Sequence, residues 1–315
     1  TMHPDWRLFL QNQSLVAFED IYKNAQLMLM SLDHYGVIEV SGKDAKSFLQ
    51  GQLTLNMNLI QPAQGGYGGY CNLKGRLHAL FYLVQTDEAY RLILPKSNIT
   101  HLLETLKKYA LFSKVVLNDK TDALAIAGAL NARALPILLE KGNYQVSQQS
   151  NLTFIAIPED RGLLLGSAAD MEAFWQSMRC PKTTGTLWDY ADIQAGIPML
   201  TKETLEVFLP HYLNLKELGA LNFEKGCYLG QEIIARMEFK ATIKQHLIKG
   251  TLQDSTPLIP GVELFNPGSD NPIGQIVNAV QTPKGIELLL TVKDEALEQA
   301  VLLNNQKEIM IHPIN

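Results

Sequence analysis

The stretch that most constrains the fold of this chain is Lys225–Glu232, which reads K-G-C-Y-L-G-Q-E. Two glycines, Gly226 and Gly230, flank the thiol of Cys227. Because glycine lacks a Cβ, the backbone can turn tightly here and approach a ligand or another part of the chain closely. The helical run Gln231–Phe239 follows at once. The sequence therefore predicts a tight, glycine-bounded loop immediately ahead of a helix.

The position of Cys227 gives it two possible roles. It lies just ahead of the positive end of the predicted helix and two residues after Lys225. A helix N-terminus and a nearby lysine both favour the thiolate, which is the reactive form of cysteine. Free cysteine is also among the most buried residue types, so a structural cysteine in a tight loop is the alternative. On the residues alone, Cys227 and Lys225 are candidate catalytic residues, and both interpretations stay open.

Strand and helix patterns alternate twice ahead of this motif, which predicts two α+β modules. In the first module we expect Ser41 to cap a helix over 43–53, and Tyr109 to end the buried stripe of a helix over 99–111. The other expected elements are strands at 27–32, 36–40, 77–85 and 90–94, the last two forming a hairpin. In the second module they are strands at 152–157 and 162–165 and a helix at 171–178, with Lys141–Asn151 as a loop or linker.

The pattern changes after about Ala241, where short strand-like runs are punctuated by glycine and proline. Such punctuation is typical of a small β-barrel, here of about 70 residues. The predicted fold class is therefore α+β with three domains: a first module at 1–120, a second at 121–241 that carries the K-G-C-Y-L-G-Q-E motif, and a barrel at 242–315.

Composition and cysteine usage exclude several classes of protein. The three cysteines are far apart and form no C-x-x-C, which fits neither a disulfide framework, a zinc site nor a four-cysteine iron–sulfur cluster. The histidines have no ligand spacing, so we expect no metal site. The N-terminal residues lack the apolar segment of a signal peptide, and no apolar run approaches the ~18 residues of a membrane span. A cytoplasmic protein without membrane contact is the expectation.

The charge of the chain limits how it could bind RNA. The formal net charge is −5, so nucleic-acid binding would require a local basic patch. One basic run lies close to the central motif, and it is either a solvated face or a docking surface for RNA or an acidic protein. It consists of Lys225, Arg236, Lys240, Lys244 and Lys249.

Several stretches together resemble the YgfZ family, folate-binding proteins related to the T-protein (aminomethyltransferase) of the glycine cleavage system. The central motif is similar to the family signature K-G-C-Y-x-G-Q-E. The other matching stretches are F-L-Q-G-Q-L-T at Phe48–Thr54, C-N-L-K-G-R at Cys71–Arg76, W-x-x-x-D-I-x-A-G-I-P at Trp188–Pro198 and F-L-P-H-Y-L-N at Phe208–Asn214. They run in the family's order over about residues 37–249.

The resemblance implies a fold, a ligand and a role. The fold would be the three-domain T-protein fold, and the ligand tetrahydrofolate or a one-carbon derivative. The role would be maintaining or assembling iron–sulfur clusters, including those of tRNA methylthiotransferases, with Cys227 as the functional thiol. The alternatives are a folate-dependent one-carbon (aminomethyl) transferase, and an RNA or protein docking module with a vestigial folate pocket.

A folate site needs a flat apolar wall, a fixed polar group for the pterin edge and cations at its mouth. Trp188 is the candidate wall, on one helix face with Asp192, although a core tryptophan is the alternative on residue type alone. By the resemblance, Tyr35 would be a second aromatic wall. Gln194 stands where the family usually has a glutamate that holds the pterin. The candidate cations are Lys74, Arg76 and Arg236.

One departure from the T-protein argues against glycine-cleavage chemistry. Alignment on the turn Asn72–Arg76 places Ala79 and Leu80 where the T-protein carries two aspartates, one of them essential to catalysis. Neither residue can accept a proton or stabilise a cationic intermediate.

Overall fold

The computed structural model of the chain describes residues 3–13, 26–137, 142–304 and 306–314. The helices within these ranges are Pro4–Gln11 (α1), Ala45–Gln50 (α2), Ile99–Tyr109 (α3), Ala168–Ser177 (α4), Thr186–Ala195 (α5) and Gln231–Phe239 (α6). The boundaries of α6 match the sequence prediction. No helix in this described part is both long and apolar enough to cross a membrane.

The strands of the described residues fall into two sheets and a barrel. In chain order they are Met28–Ser31 (β1), Tyr35–Ser41 (β2), Gly66–Cys71 (β3), Leu77–Gln85 (β4), Ala89–Pro95 (β5), Val116–Asp119 (β6), Ala125–Leu130 (β7), Val146–Gln149 (β8), Leu152–Ile157 (β9), Arg161–Gly166 (β10), Lys182–Thr183 (β11), Gln245–Leu252 (β12), Glu263–Phe265 (β13), Gly274–Thr282 (β14), Gly285–Lys293 (β15), Val301–Leu303 (β16) and Lys307–His312 (β17).

The first sheet has six strands in the order β11-β1-β7-β10-β9-β8. Strand β1 pairs parallel with β11 and antiparallel with β7, where Leu29 lies opposite Ala129. Helices α1 and α4 meet through Trp6 and Trp175, whose ring centroids are 5.4 Å apart. Both tryptophans belong to the buried cluster that this sheet contributes to, so hydrophobic burial holds α1, α4 and the sheet together.

The second sheet has five strands in the order β3-β4-β5-β2-β6. Strand β4 is an almost continuous apolar run, and eight of its nine residues are buried, as expected for a strand that is covered on both faces. It forms the predicted hairpin with β5, with Tyr82 opposite Ile93.

The C-terminal strands close into a six-stranded barrel in the order β12-β15-β14-β13-β16-β17. Residues of β15 such as Leu288, Leu290 and Val292 alternate into its core. Gly285 has a φ of 124° at the turn between β14 and β15, a conformation that favours glycine. The predicted barrel is confirmed, although the sequence did not indicate β16.

The chain divides into two compact units. One comprises residues 1–49, 56–67 and 81–188, and the other residues 50–55, 68–80 and 189–315. The barrel belongs to the second unit, and the six-stranded sheet to the first. The domain limits 1–120, 121–241 and 242–315 remain a prediction.

Some expected elements differ from those observed. Ser41 does not cap a helix: it ends β2, and Gly42 with a φ of 107° turns the chain before α2 begins at Ala45. Tyr109 is 43% exposed, because it stands at the last position of α3, beyond the face that is packed. The stretch expected as a loop from Lys141 contains strand β8, which pairs with β9; Lys141 itself lies outside the described residues.

Candidate functional site

The loop that carries Cys227 is anchored by the side chain of Lys225. This lysine is 8% exposed, and its Nζ donates hydrogen bonds to the carbonyls of Leu53 at 2.5 Å and Leu55 at 2.7 Å. Nζ also lies 4.6 Å from the centroid of the Tyr228 ring, which is cation–π distance. Burial lowers the pKa of Lys225 to about 8. The lysine thus fastens the loop to the segment at 53–55 and is not a solvated charge.

The other end of the loop is fixed by Gly230, which has a φ of 80° and precedes α6. A Cβ on Gly230 would also lie 2.6 Å from the carbonyl oxygen of Asn72. Both the positive φ and this close contact therefore require glycine at the position. Gly75, with a φ of 72°, packs in the same way against the side chain of Ile233. Gly226 is different, since a Cβ there would meet nothing within 4 Å. The expected close approach of another part of the chain is therefore observed at Gly230 and is not observed at Gly226 among the described residues.

Further hydrogen bonds connect the stretches singled out in the sequence to one another and to neighbouring segments of the second unit. The buried hydroxyl of Thr54 accepts from the backbone N–H of Gly69 and donates to the carbonyl of Ala220. The Arg76 guanidinium donates to the carbonyl of Val207 at 2.5 Å. The backbone N–H of Leu229 donates to the carbonyl of Gly51. The second unit thus gathers the loop at 225–232, the turn at 71–76 and the segment at 50–55 around one scaffold.

Cys227 is the exposed cysteine of the three, and all three are free thiols. Cys71 is buried at the end of β3, and burial raises its pKa. Cys180 is half-buried and lies three residues beyond the end of α4, and burial raises its pKa as well, against the opposing effect of Lys182. The arrangement presents one thiol, on a loop held at both ends, to reagents in solution.

The aromatic candidates for the folate site belong to the first unit. Trp188 has no exposed surface, and the guanidinium carbon of Arg161 lies 4.6 Å from its ring centroid. Strand β7 has glycine at Gly128, where a Cβ would come within 2.5 Å of the indole ring. Tyr35 is buried at the start of β2 and packs edge-on against His34 at 5.0 Å. The structure places both aromatic residues in the core, and their contact with a folate stays a prediction.

The polar candidates belong to the second unit. Gln194 is half-buried, and its amide nitrogen lies 3.4 Å from the carboxylate of Glu287 in β15. A carboxylate therefore does lie beside this position, on strand β15 rather than on the helix that carries Gln194. Lys74, Arg76 and Arg236 are all exposed. Lys74 and Arg76 flank Gly75 in a turn that the side chain of Asn72 closes, while Arg236 forms an i,i+4 pair with Glu232 on α6.

One polar cluster around the buried His211 was missed by the sequence analysis. Glu238 of α6 accepts from Lys216 at 2.6 Å and is 3.0 Å from Nε2 of His211. His211 is 5% exposed. This cluster ties α6 to the stretch at 208–214, and Lys216 lowers the pKa of Glu238. The F-L-P-H-Y-L-N motif pointed to His211, but no local pattern identifies a partner 27 residues away.

The positions aligned with the T-protein aspartates, Ala79 and Leu80, are both fully buried in β4. They offer no group that could exchange a proton with a substrate. No group of three or more His, Cys, Asp or Glu residues that could hold a metal ion is found in the described part of the chain.

Comparison with known proteins identifies the family of this chain. No protein-family model matches it. It is 29% identical over 305 residues to the tRNA-modifying protein YgfZ of Vibrio atlanticus, covering 95% of this chain and 93% of that protein. It is 35% identical over 231 residues to the tRNA-modifying protein YgfZ of Edwardsiella ictaluri, covering 70% of each.

Among solved structures, the glycine cleavage system aminomethyltransferase T from Bartonella henselae is similar, with a TM-score of 0.69 at 15% identity, covering 93% of this chain and 86% of that one. This likeness confirms the expected α+β, aminomethyltransferase-like fold. The sequence relatives confirm what the motifs predicted: the chain belongs to the YgfZ family.

Proposed function

We propose that this protein is a cytoplasmic, folate-binding accessory factor that supports iron–sulfur-dependent tRNA modification, with Cys227 as its functional thiol. Its relatives named tRNA-modifying protein YgfZ support the link to tRNA. The partners would be iron–sulfur enzymes such as tRNA methylthiotransferases. The ligand would be tetrahydrofolate or a one-carbon derivative.

The observation that carries this proposal is the exposure of Cys227 on a loop that is fixed at both ends. Lys225 fastens one end to two backbone carbonyls, and Gly230 locks the other against the turn at Asn72. A thiol presented this way is accessible to a partner molecule and keeps its position, because the anchors lie on either side of it. Accessibility is one requirement for a cysteine that reacts with another molecule.

Chemical labelling tests the accessibility of the thiol. With limiting iodoacetamide near neutral pH, Cys227 should be alkylated before Cys180, and Cys180 before Cys71, since their exposure falls in that order. Mass spectrometry of the tryptic peptides measures the order. Earlier labelling of Cys71 or Cys180 would contradict the proposal that Cys227 is the reactive thiol.

Complementation tests whether that thiol is needed. In cells that lack the family protein, Cys227→Ser should fold and bind folate as the parent does but should not restore methylthiolated tRNA. Cys180→Ser is the matched control and should restore it. Full complementation by Cys227→Ser would show that the cysteine is a structural part of the loop.

The folate part of the proposal has Trp188 as the side chain that would contact the pterin. Its indole N–H is buried and has no hydrogen-bond partner among the described residues, so it is a donor that a ligand oxygen could use. Trp6 and Trp175 share this feature within the core, so it does not by itself single out Trp188. Gln194 would contact the pterin edge, with Tyr35 as a second aromatic contact. The cations offered to the anionic tail would be Lys74, Arg76 and Arg236.

Bound tetrahydrofolate would supply a carrier for one-carbon groups, whereas the residues of this chain would bind and orient it. Titration with tetrahydrofolate should quench tryptophan fluorescence, and Trp188→Phe should abolish the quench. Trp175→Phe is the control, because that residue lies in the core cluster with α1 and should leave the quench in place. An unchanged quench in Trp188→Phe would place the folate elsewhere.

A one-carbon transferase is the competing function, and Ala79 and Leu80 disfavour it because both are apolar and buried. The purified protein should therefore form no methylenetetrahydrofolate from an aminomethyl donor. Turnover in that assay would replace the proposal of an accessory factor with that of an enzyme.

A further inference from the structure

The segment between α3 and β6 exposes an unusual amount of apolar surface. Phe112 is 101% exposed and Leu111 is 77% exposed at its tip. Val116 at the start of β6 is 53% exposed, and Tyr109 at the end of α3 is 43% exposed. Large apolar side chains grouped on a surface in this way indicate a site of interaction.

Exposed lysines lie on both sides of this tip. Lys107 and Lys108 occupy the last turn of α3, and Lys114 follows Phe112 by two residues. The turn at 42–44 brings two further exposed lysines of the first unit close to Lys114, because the backbone N–H of Asp44 donates to the Lys114 carbonyl and its carboxylate accepts from the Lys114 N–H at 2.7 Å. Those two lysines are Lys43 and Lys46.

Acidic groups offset part of this charge: Asp87 and Glu88 are exposed and line the same groove as Lys43 and Lys46. The Asp44 carboxylate is engaged by the Lys114 backbone, and Glu104 is exposed one turn before Lys108 on α3. The surface defined by residues 107–116 with Lys43 and Lys46, here called the 107–116 surface, therefore combines a protruding aromatic ring with an excess of positive charge at Lys107, Lys108 and Lys114. The chain as a whole is acidic, so this charge is local.

We propose that the 107–116 surface binds a single-stranded segment of RNA, such as an unpaired loop of a tRNA. Proteins bind single-stranded nucleic acids by stacking bases on aromatic side chains and by neutralising phosphates with lysine or arginine, and this surface offers both. Phe112 is the stacking residue, Leu111 provides apolar surface beside it, and the lysines contact phosphates. The inference goes beyond the proposed function, because neither Cys227 nor the folate residues take part.

Fluorescence anisotropy tests this proposal. It measures the binding of bulk tRNA to the full chain over a range of salt concentrations. Phe112→Ala should weaken binding about 5- to 150-fold, the range for loss of one stacked base. The fold should persist, since a fully exposed ring leaves no cavity. A triple variant with Lys107→Gln, Lys108→Gln and Lys114→Gln should reduce the slope of log affinity against log salt by about 2. Thermal unfolding checks that α3 survives this change.

Each variant has a control that removes the same type of side chain from another part of the surface. Met310→Ala removes another exposed apolar side chain, 60% exposed in the barrel, and should leave tRNA binding unchanged. The triple variant Lys240→Gln, Lys244→Gln and Lys249→Gln removes three charges from the basic run near α6 and should also leave tRNA binding unchanged. If this second triple variant abolishes binding while Phe112→Ala does not, the RNA site lies near α6 and the proposal is wrong.

Other outcomes also overturn the proposal. One is an absence of tRNA binding by the parent protein at about 10⁻⁴ M and low salt, where even non-specific binding is measurable. A second is Phe112-dependent binding to vesicles of phosphatidylcholine and phosphatidylglycerol without binding to tRNA, which would make the surface a membrane contact. A third is self-association that Phe112→Ala removes, seen by sedimentation without tRNA binding, which would make it an interface between copies.

Discussion

Replacement of Lys225 by methionine tests the anchoring of the Cys227 loop most directly. Methionine keeps the length and much of the apolar stem of the side chain but removes the ammonium. Two charge-assisted hydrogen bonds to the Leu53 and Leu55 carbonyls are lost, a loss of about 3–6 kcal/mol in all. Burial of the ammonium, which lowers its pKa from 10.5 to about 8, costs about 3 kcal/mol that the variant no longer bears. The balance of these two terms is about 0–3 kcal/mol, and the buried carbonyls of Leu53 and Leu55, left without their donor, add to it, so we expect a net destabilisation of about 1–3 kcal/mol.

The lowered pKa of Lys225 also predicts how the stability difference between parent and Lys225→Met changes with pH. The pKa of Lys225 is about 8 in the folded chain, against an ordinary value of 10.5, so the folded chain binds fewer protons than the unfolded chain between these values. The parent therefore gains stability from this group as pH rises above 8. The gap between parent and Lys225→Met should widen by about 1 kcal/mol from pH 7 to pH 9. Cys71 and Tyr228, whose pKa values burial raises, are present in both proteins and cancel in the comparison.

The assay has to report on the second unit. All three tryptophans, Trp6, Trp175 and Trp188, belong to the first unit, so their fluorescence is a poor probe of the loop. Urea unfolding followed by far-UV circular dichroism, together with hydrogen exchange of peptides that cover 225–239, measures the effect. The matched control is Lys240→Met, at an exposed lysine just after α6. Equal urea midpoints for parent and Lys225→Met would refute the anchoring role, and the same gap at pH 7 and pH 9 would refute the lowered pKa of Lys225.

Two further predictions concern positions near the candidate site. Gly230→Ala should lower stability by at least about 1 kcal/mol, since its positive φ and the nearby carbonyl both reject a Cβ, whereas Gly226→Ala should be close to neutral; equal urea midpoints for the two variants would contradict this. Gln194→Glu should tighten tetrahydrofolate binding if the missing charge matters, and unchanged affinity in a titration would show that the amide suffices. The new carboxylate would also stand beside Glu287, and two ionised carboxylates side by side repel each other, so this variant should lose stability relative to the parent when the pH is raised from about 4 to about 7; thermal unfolding at both pH values measures it.

Local sequence determined the elements whose signals are short-range. The boundaries of α6 follow from Gly230 and the helical run behind it, and the β4–β5 hairpin from two apolar runs about a turn's length apart. Glycine and proline spacing indicated the barrel, because turn residues mark strand ends wherever they occur. The same local reasoning failed at Ser41 and Tyr109, where the packing of the surrounding chain, not propensity, sets the end of the element.

The tertiary structure alone decided which distant residues meet. From the sequence alone, Lys225 is a charge that could activate the nearby Cys227. In the structure its ammonium donates hydrogen bonds to carbonyls that are some 170 residues away in the chain. Glu287 beside Gln194 and Glu238 beside His211 are likewise invisible locally. Periodicity specifies which face of an element is apolar, but a buried polar group must find its partner wherever the folded chain places one. For that reason the sequence could indicate the family, the element types and the candidate residues, while the anchored geometry around Cys227 emerged only from the fold.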